Sequence, residues 1–99
     1  MENYIGKKVI VRTNRAGVFF GTLEEVESNN AKLLNVRKLW YWDGACAVEE
    51  LAVNGTIKPK ECKFTLVVDE MIVSDYIQII PCSEKAIKSL EGVEEWKRK

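Results

Sequence analysis

The sequence predicts a mainly β fold of the α+β class. The expected form is a small, strongly bent, five-stranded antiparallel barrel with one short inserted helix and one C-terminal helix. Three observations predict it. Apolar residues alternate with the two-residue period of a strand between residues 9 and 42. Polar turn clusters, Asn14-Arg15-Ala16-Gly17 and Glu27-Ser28-Asn29-Asn30, break that run at hairpin spacing. Gly21 lies inside the second run, where a missing side chain lets a bent strand pass close to its neighbour.

The elements follow in order. Val9–Thr13 alternates and reads as the first strand. Val18–Val26 is the second, with Phe19, Gly21 and Leu23 on one face and Val18, Phe20 and Thr22 on the other. Ala31–Trp42 is a long third strand. Asp43 suits a helix N-cap, and Val48, Leu51 and Ala52 recur at helical spacing before Asn54-Gly55. The inserted helix is therefore expected over Gly44–Val53, an insertion of about residues 44–55. Thr56–Cys62 is a loop, Lys63–Val73 and Tyr76–Ile80 are strands four and five, and Ser74–Asp75 is the tight turn between them. Pro81 stops the last strand. Ser83 caps a closing helix over Glu84–Leu90, about residues 83–91, and Val93 and Trp96 pack the tail back onto the body. Phe19, Leu23, Leu33, Val68 and Ile77 are the expected core. The whole of residues 1–99 reads as one domain, because 99 residues suffice for one small core and not two.

Composition narrows the chemistry. Fifteen basic and fifteen acidic residues cancel, which argues against a general duplex-DNA binder held by phosphate neutralisation. There is no histidine, which removes the commonest general base and metal ligand. The three cysteines, Cys46, Cys62 and Cys82, form no C-x-x-C pair and read as small buried hydrophobes in a reducing, cytoplasmic setting. No signal peptide or long apolar run is present, so no membrane association is expected. The acidic pairs Glu24–Glu25, Glu49–Glu50 and Asp69–Glu70 read as solvated charge; on a strand, neighbouring carboxylates point to opposite faces. No phosphate-binding glycine loop, nucleophile elbow or metal signature occurs. The expectation is a non-enzyme with no catalytic residue, metal or cofactor.

The segment Leu39-Trp40-Tyr41-Trp42-Asp43-Gly44, directly after Arg37-Lys38, carries the functional signal. Aromatic rings beside cations suit a planar anionic ligand, because rings stack on bases while guanidinium pairs with phosphate. Strand alternation places Trp40 and Trp42 together and Tyr41 opposite, and it places Arg37 and Trp40 on opposite faces. Arg12 and Arg15 flank the first turn and could reach the segment of a neighbouring subunit. The candidate ligand site is Arg12, Arg15, Arg37, Trp40 and Trp42, with Phe20 and Tyr41 in support. A core or subunit-interface aromatic cluster is the competing reading. An exposed Trp-Tyr-Trp run on a small neutral chain also predicts a homo-oligomer.

Two resemblances add to this. Gly6, then Phe19-Phe20-Gly21-Thr22-Leu23, then Asn30-Ala31-Lys32-Leu33-Leu34-Asn35-Val36 resemble the first motif of the Sm/Lsm-like small β-barrel. Ile72-Val73-Ser74-Asp75-Tyr76-Ile77-Gln78-Ile79-Ile80 resembles the second in its apolar frame and at Asp75. The resemblance implies an Sm/SH3-like barrel. Val73–Ser74 stand where that family's RNA pocket has an Arg-Gly pair, and Val26 stands where it has an acidic residue. Ala16–Leu23, Arg37–Ala45, Cys62–Thr65, Val68–Glu70 and Ile79–Cys82 are similar to a family of small tailed-phage and prophage proteins. That resemblance implies an accessory protein in the cytoplasm of an infected or lysogenic bacterial host. Together these readings lead to an oligomeric phage protein that binds and sequesters a nucleotide-type ligand, a host antiviral immune signal being the expected class. An Sm-like RNA or single-stranded DNA binder and a virion or assembly component are the alternatives.

Overall fold

The computed structural model describes residues 2–97. Its elements are β1 (Lys8–Thr13), β2 (Val18–Glu27), β3 (Asn30–Tyr41), α1 (Val48–Asn54), β4 (Lys63–Phe64), β5 (Val68–Ser74), β6 (Tyr76–Pro81) and α2 (Glu84–Glu91). Six strands pair antiparallel in the order β4-β3-β2-β1-β6, and β5 joins the same side of β3 as β4. The fold is mainly β, as expected, with two helices.

The connection between β5 and β6 dictates the shape of the sheet. They lie at opposite ends of the path β5-β3-β2-β1-β6, yet Asp75 alone separates Ser74 from Tyr76. Four strand spacings laid flat would span about 19 Å. One residue bridges no more than about 7 Å. The sheet therefore curls until its two edges approach each other, although it does not close. Asp75 sits at the meeting point with φ 58°; its carbonyl accepts from Asn14 N–H at 2.9 Å and its carboxylate from Asn29 Nδ2 at 2.5 Å. Both hairpin turns are thereby tied to the β5–β6 corner.

Curling gives the sheet two cores. Val9, Val11, Phe19, Leu23, Ala31, Leu33, Val36 and Val73 fill the concave side. Ile10, Phe20, Leu39 and Phe64 project from the convex side against Leu51 and Ala52 of α1 and Ala86 and Leu90 of α2. The run Val9-Ile10-Val11 is wholly buried because both faces of β1 are covered.

Gly21 acts as its context predicted. Thr22 pairs with Leu34 and Phe20 with Arg37, so Gly21 opposes both Asn35 and Val36 across a β-bulge. Asn35 takes φ 48° there. A Cβ on Gly21 would lie 2.9 Å from Val36 Cβ and 3.0 Å from both Leu34 O and Val36 Cα.

Four expectations are corrected. The predicted Lys63–Val73 strand is two strands. Leu39 pairs with Phe64 and Val36 with Val68, so two residues of β3 face three of the partner and Leu66 and Val67 are pushed out of the ladder. Val68 is exposed rather than core, because alternation along β5 turns Met71 and Val73 inward and Val68, Glu70 and Ile72 outward. Ile77 is exposed because it is the extra residue at the bulge between the Arg12–Gln78 and Thr13–Tyr76 pairs. The inserted helix starts at Val48, not Gly44, and Asp43 does not cap it. Asp43 Oδ1 instead accepts from Gly44 N–H at 2.7 Å, and Gly44 at φ 85° turns the chain before the helix begins. Glu50 then reaches back to Cys46 N–H at 2.6 Å. Ser83 does cap α2, accepting from Ala86 N–H at 3.0 Å.

Candidate functional site

The candidate site forms where β3 ends. Tyr41 pairs with Lys63 of β4, and the C-terminal tail adds a parallel bridge between Phe64 and Glu95. Trp96 N–H donates to Phe64 O at 2.8 Å, which carries the Trp96 indole onto Trp40 with ring centroids 5.0 Å apart. The Lys63 ammonium stands 5.4 Å from the Trp40 ring, 5.4 Å from Trp96 and 5.8 Å from Tyr41. These are cation–π distances. The rings nevertheless stay open to solvent: Trp40 is 55%, Tyr41 50% and Trp96 43% exposed. A cleft lined by Trp96 carries Lys60 and Lys97 as well as Glu94 and Glu95, and Lys97 pairs with Glu95 at 3.6 Å. Flat apolar surface and cations thus occur side by side.

Of the residues read from the sequence, Trp40 and Tyr41 meet here. Trp42 does not. The chain leaves the strand at Tyr41, and Trp42 is half-buried against the helix-side core, so Trp40 and Trp42 do not form one face. Arg12 is exposed on β1, donating to Gln78 Oε1 at 3.4 Å, and Arg15 is exposed in the β1–β2 turn. Phe20 is buried in the helix-side core. Arg37 is buried too, whereas Trp40 is exposed at the register shift between the Leu39–Phe64 and Tyr41–Lys63 pairs. The Arg37 Nε donates to Thr65 O at 3.0 Å and its Nη1 to Leu90 O at 3.2 Å and Val93 O at 2.8 Å. Burial draws its pKa below the ordinary arginine value, and nearby Glu95 partly opposes that. Arg37 therefore ties β3 to the C-terminus of α2 and is no partner for a ligand stacked on Trp40.

The sequence reading missed Lys63, and it assigned Trp96 to packing alone. Lys63 lies far from Tyr41 along the chain, with α1 between them, and only the β3–β4 register brings it over the rings. Among the described residues no three His, Cys, Asp or Glu side chains converge as metal ligands would, and no helix is long and apolar enough to cross a membrane.

The thiols divide by environment. Cys62 is buried, with Sγ 3.5 Å from Lys58 O, and Cys82 is half-buried. Cys46 is exposed, against expectation, because it lies in the turn before α1. Burial pushes the Cys82 thiol up to about 12. Hydrogen bonding to Glu50 and its charge raise the Cys46 pKa. Since the thiolate is the nucleophile, native protein is expected to alkylate at Cys46 alone, and slowly. Glu50→Gln should speed the reaction. Peptide mass spectrometry after iodoacetamide at neutral pH checks both statements; early labelling of Cys82 would contradict them.

The fold and site define a small, curled, mainly β domain that presents an aromatic–lysine surface. Residues 6–90 match the model of a domain of unknown function, DUF6948, and the chain belongs to that family. The match includes Trp40, Tyr41 and Lys63; Trp96 lies beyond it. Neither a curated protein nor a solved structure matched the chain.

Proposed function

We propose that this protein is a non-enzymatic binding module that holds a nucleotide-type ligand on the Trp40–Tyr41–Lys63–Trp96 surface. The observation that carries the reading is the Lys63 ammonium held within 5.8 Å of three rings that remain about half exposed. Bases stack on such rings, and Lys63, Lys60 and Lys97 are the cations near a bound phosphate. Holding without turnover amounts to sequestration, which is compatible with the accessory role that the phage resemblance implies. The strand order β5-β3-β2-β1-β6 and the Asp75 corner support reading the curled sheet as an Sm-like barrel.

A homo-oligomer belongs to the same proposal. The outer edges of β5 and β6 carry no strand partner among the described residues, and Ile72 and Ile77 on them are 66% and 54% exposed. Unpaired apolar edges favour strand pairing with a second copy. They equally suit an assembly component whose contacts are all to protein.

Native mass spectrometry of protein purified from bacteria, with titration of a nucleotide panel followed by tryptophan fluorescence, tests the proposal. An oligomer with saturable quenching is expected. One lost base stack costs about 1–3 kcal/mol, so Trp40→Ala should weaken binding roughly ten- to a hundred-fold. Unchanged affinity in Trp40→Ala removes this site. An oligomer that binds no nucleotide favours the assembly reading.

A further inference from the structure

A second cleft lies on the convex side of the sheet, between the start of β1, the bulge of β3 and the end of α2. Lys8, Phe20, Asn35, Arg37, Val67 and Glu91 line it, and its volume is about 340 Å³. Arg37 is 4% exposed, and its Nε and Nη1 are taken by three carbonyls. Nη2 has no acceptor among the described residues. No described polar side-chain atom is both fully buried and unpartnered, so Nη2 is not sealed off from solvent, and Arg37 lines this cleft. The Lys8 ammonium stands 5.5 Å from the Phe20 ring and 3.4 Å from Glu91 Oε2. Asn35, exposed and held at φ 48° by the bulge, adds an amide to the same cleft.

We infer that this cleft binds a small tetrahedral oxyanion, with Arg37 Nη2, Lys8 and Asn35 as its donors. A guanidinium with a spare N–H is a strong oxyanion donor, because charge-assisted hydrogen bonds are roughly twice as strong as neutral ones. Its orientation is fixed in advance by three carbonyls, so binding orders nothing further there. The donors come from β1 and from two positions of β3, one within its bulge and one just beyond it, which suits a tetrahedral anion better than a flat carboxylate. Glu91 is the competing anion. Its side chain is 49% exposed, so it can swing out and yield Lys8 to the ligand. With Glu91 counted, the cleft holds one excess positive charge. Its volume, at the lower end for small-molecule sites, leaves room for a short organic group on the phosphate beside Val67 and Phe20.

The inference does not rest on the aromatic surface, and the two are separable. Inorganic phosphate titrated into the ¹⁵N-labelled full chain should shift the Arg37 Nε–H signal and the Asn35 amide saturably. Acetate should do so more weakly. Lys8→Met removes a charged donor, and Asn35→Asp keeps a residue that tolerates positive φ while adding a carboxylate. Each should weaken phosphate binding by about tenfold or more. Glu91→Gln should tighten it by roughly threefold, as expected for loss of a competing exposed carboxylate. Trp40→Ala should leave it unchanged. Absence of a saturable shift, or Lys8→Met and Asn35→Asp binding as tightly as the parent, would overturn the site. Acetate binding as tightly as phosphate would overturn the tetrahedral assignment.

Discussion

Arg37→Met is expected to destabilise the fold by about 3–5 kcal/mol, a large share of the stability of a domain this size. Methionine fills much of the same volume but donates no hydrogen bond. Thr65 O, Leu90 O and Val93 O would each lose their bond to Arg37, and two of the three bonds are buried. Hydrogen bonds to a charged group are worth about 1.5–3 kcal/mol each, and an orphaned buried acceptor adds to the loss. Relief from burying the guanidinium offsets part of it. The damage should also have a direction. Leu90 O and Val93 O lie at the end of α2, where a cation complements the helix dipole, and the tail beyond them carries Trp96 to Trp40. Tail amides, Trp96 N–H foremost, should exchange faster than those of β1 and β2. Arg37→Lys keeps the charge but cannot serve three carbonyls through a planar fork, so it should recover only part of the loss. Urea unfolding with fluorescence detection gives the magnitude, and hydrogen exchange gives the direction. A midpoint within experimental error of the parent would show that the three bonds contribute no net stability.

Arg37 also marks the boundary of what the sequence discloses. Its charge and its place beside Trp40-Tyr41-Trp42 read as a ligand contact, because nothing local says that α2 will end over it. The alternation rule placed Arg37 and Trp40 on opposite faces of a regular strand, and the structure has Arg37 buried and Trp40 exposed at a register shift against β4. Local signals were legible where local physics decides. Gly21 at the bent strand, Ser83 at the α2 cap, and Phe19, Leu23 and Leu33 in the core all follow from spacing and residue type. Misplaced residues sit where pairing shifts by one residue. Ile77 is the extra residue of a β1–β6 bulge, and Leu66 and Val67 are shed at the step from β4 to β5. A bulge depends on the partner strand and leaves little trace in the bulged one. The same limit hid Lys63, which reaches the aromatic surface only through the β3–β4 register. Trp96 was legible as a residue that folds the tail back. That it stacks on Trp40 and stays half open was not.

Gly55→Ala should cost about 3–4 kcal/mol, from backbone strain and overlap acting together, less a small entropic gain in the unfolded chain. Gly55 ends α1 with φ 73° and ψ −152°, a conformation reserved almost wholly to glycine. Its N–H closes the helix on Leu51 O at 3.0 Å. A Cβ there would also overlap Ser89 Cβ and Oγ on α2. Ser89 cannot simply turn away, because its Oγ accepts from Thr56 N–H at 3.0 Å and donates to Thr56 O at 3.3 Å. Asparagine should not rescue the position, since it tolerates the left-handed helical region and not this ψ. Ser89→Gly separates the two contributions. In the double variant the overlap is relieved and the strain remains, so its loss should fall short of the sum of the single losses by about 1 kcal/mol or more. Strict additivity would mean that strain alone accounts for the effect. The consequence reaches the binding surface. Thr56 Oγ1 donates to Asp43 O at 2.5 Å, and Ile57 N–H donates to Gly44 O at 3.4 Å, so the residues after Gly55 brace the turn that follows Trp42. Any Gly55→Ala protein that still folds should therefore show altered Trp42 fluorescence and weaker ligand quenching. Gly92→Ala provides the control. It sits at φ −79°, a helical value any residue adopts, and its nearest contact for an added Cβ is Lys88 O at 3.2 Å, so it should change the urea midpoint less than Gly55→Ala.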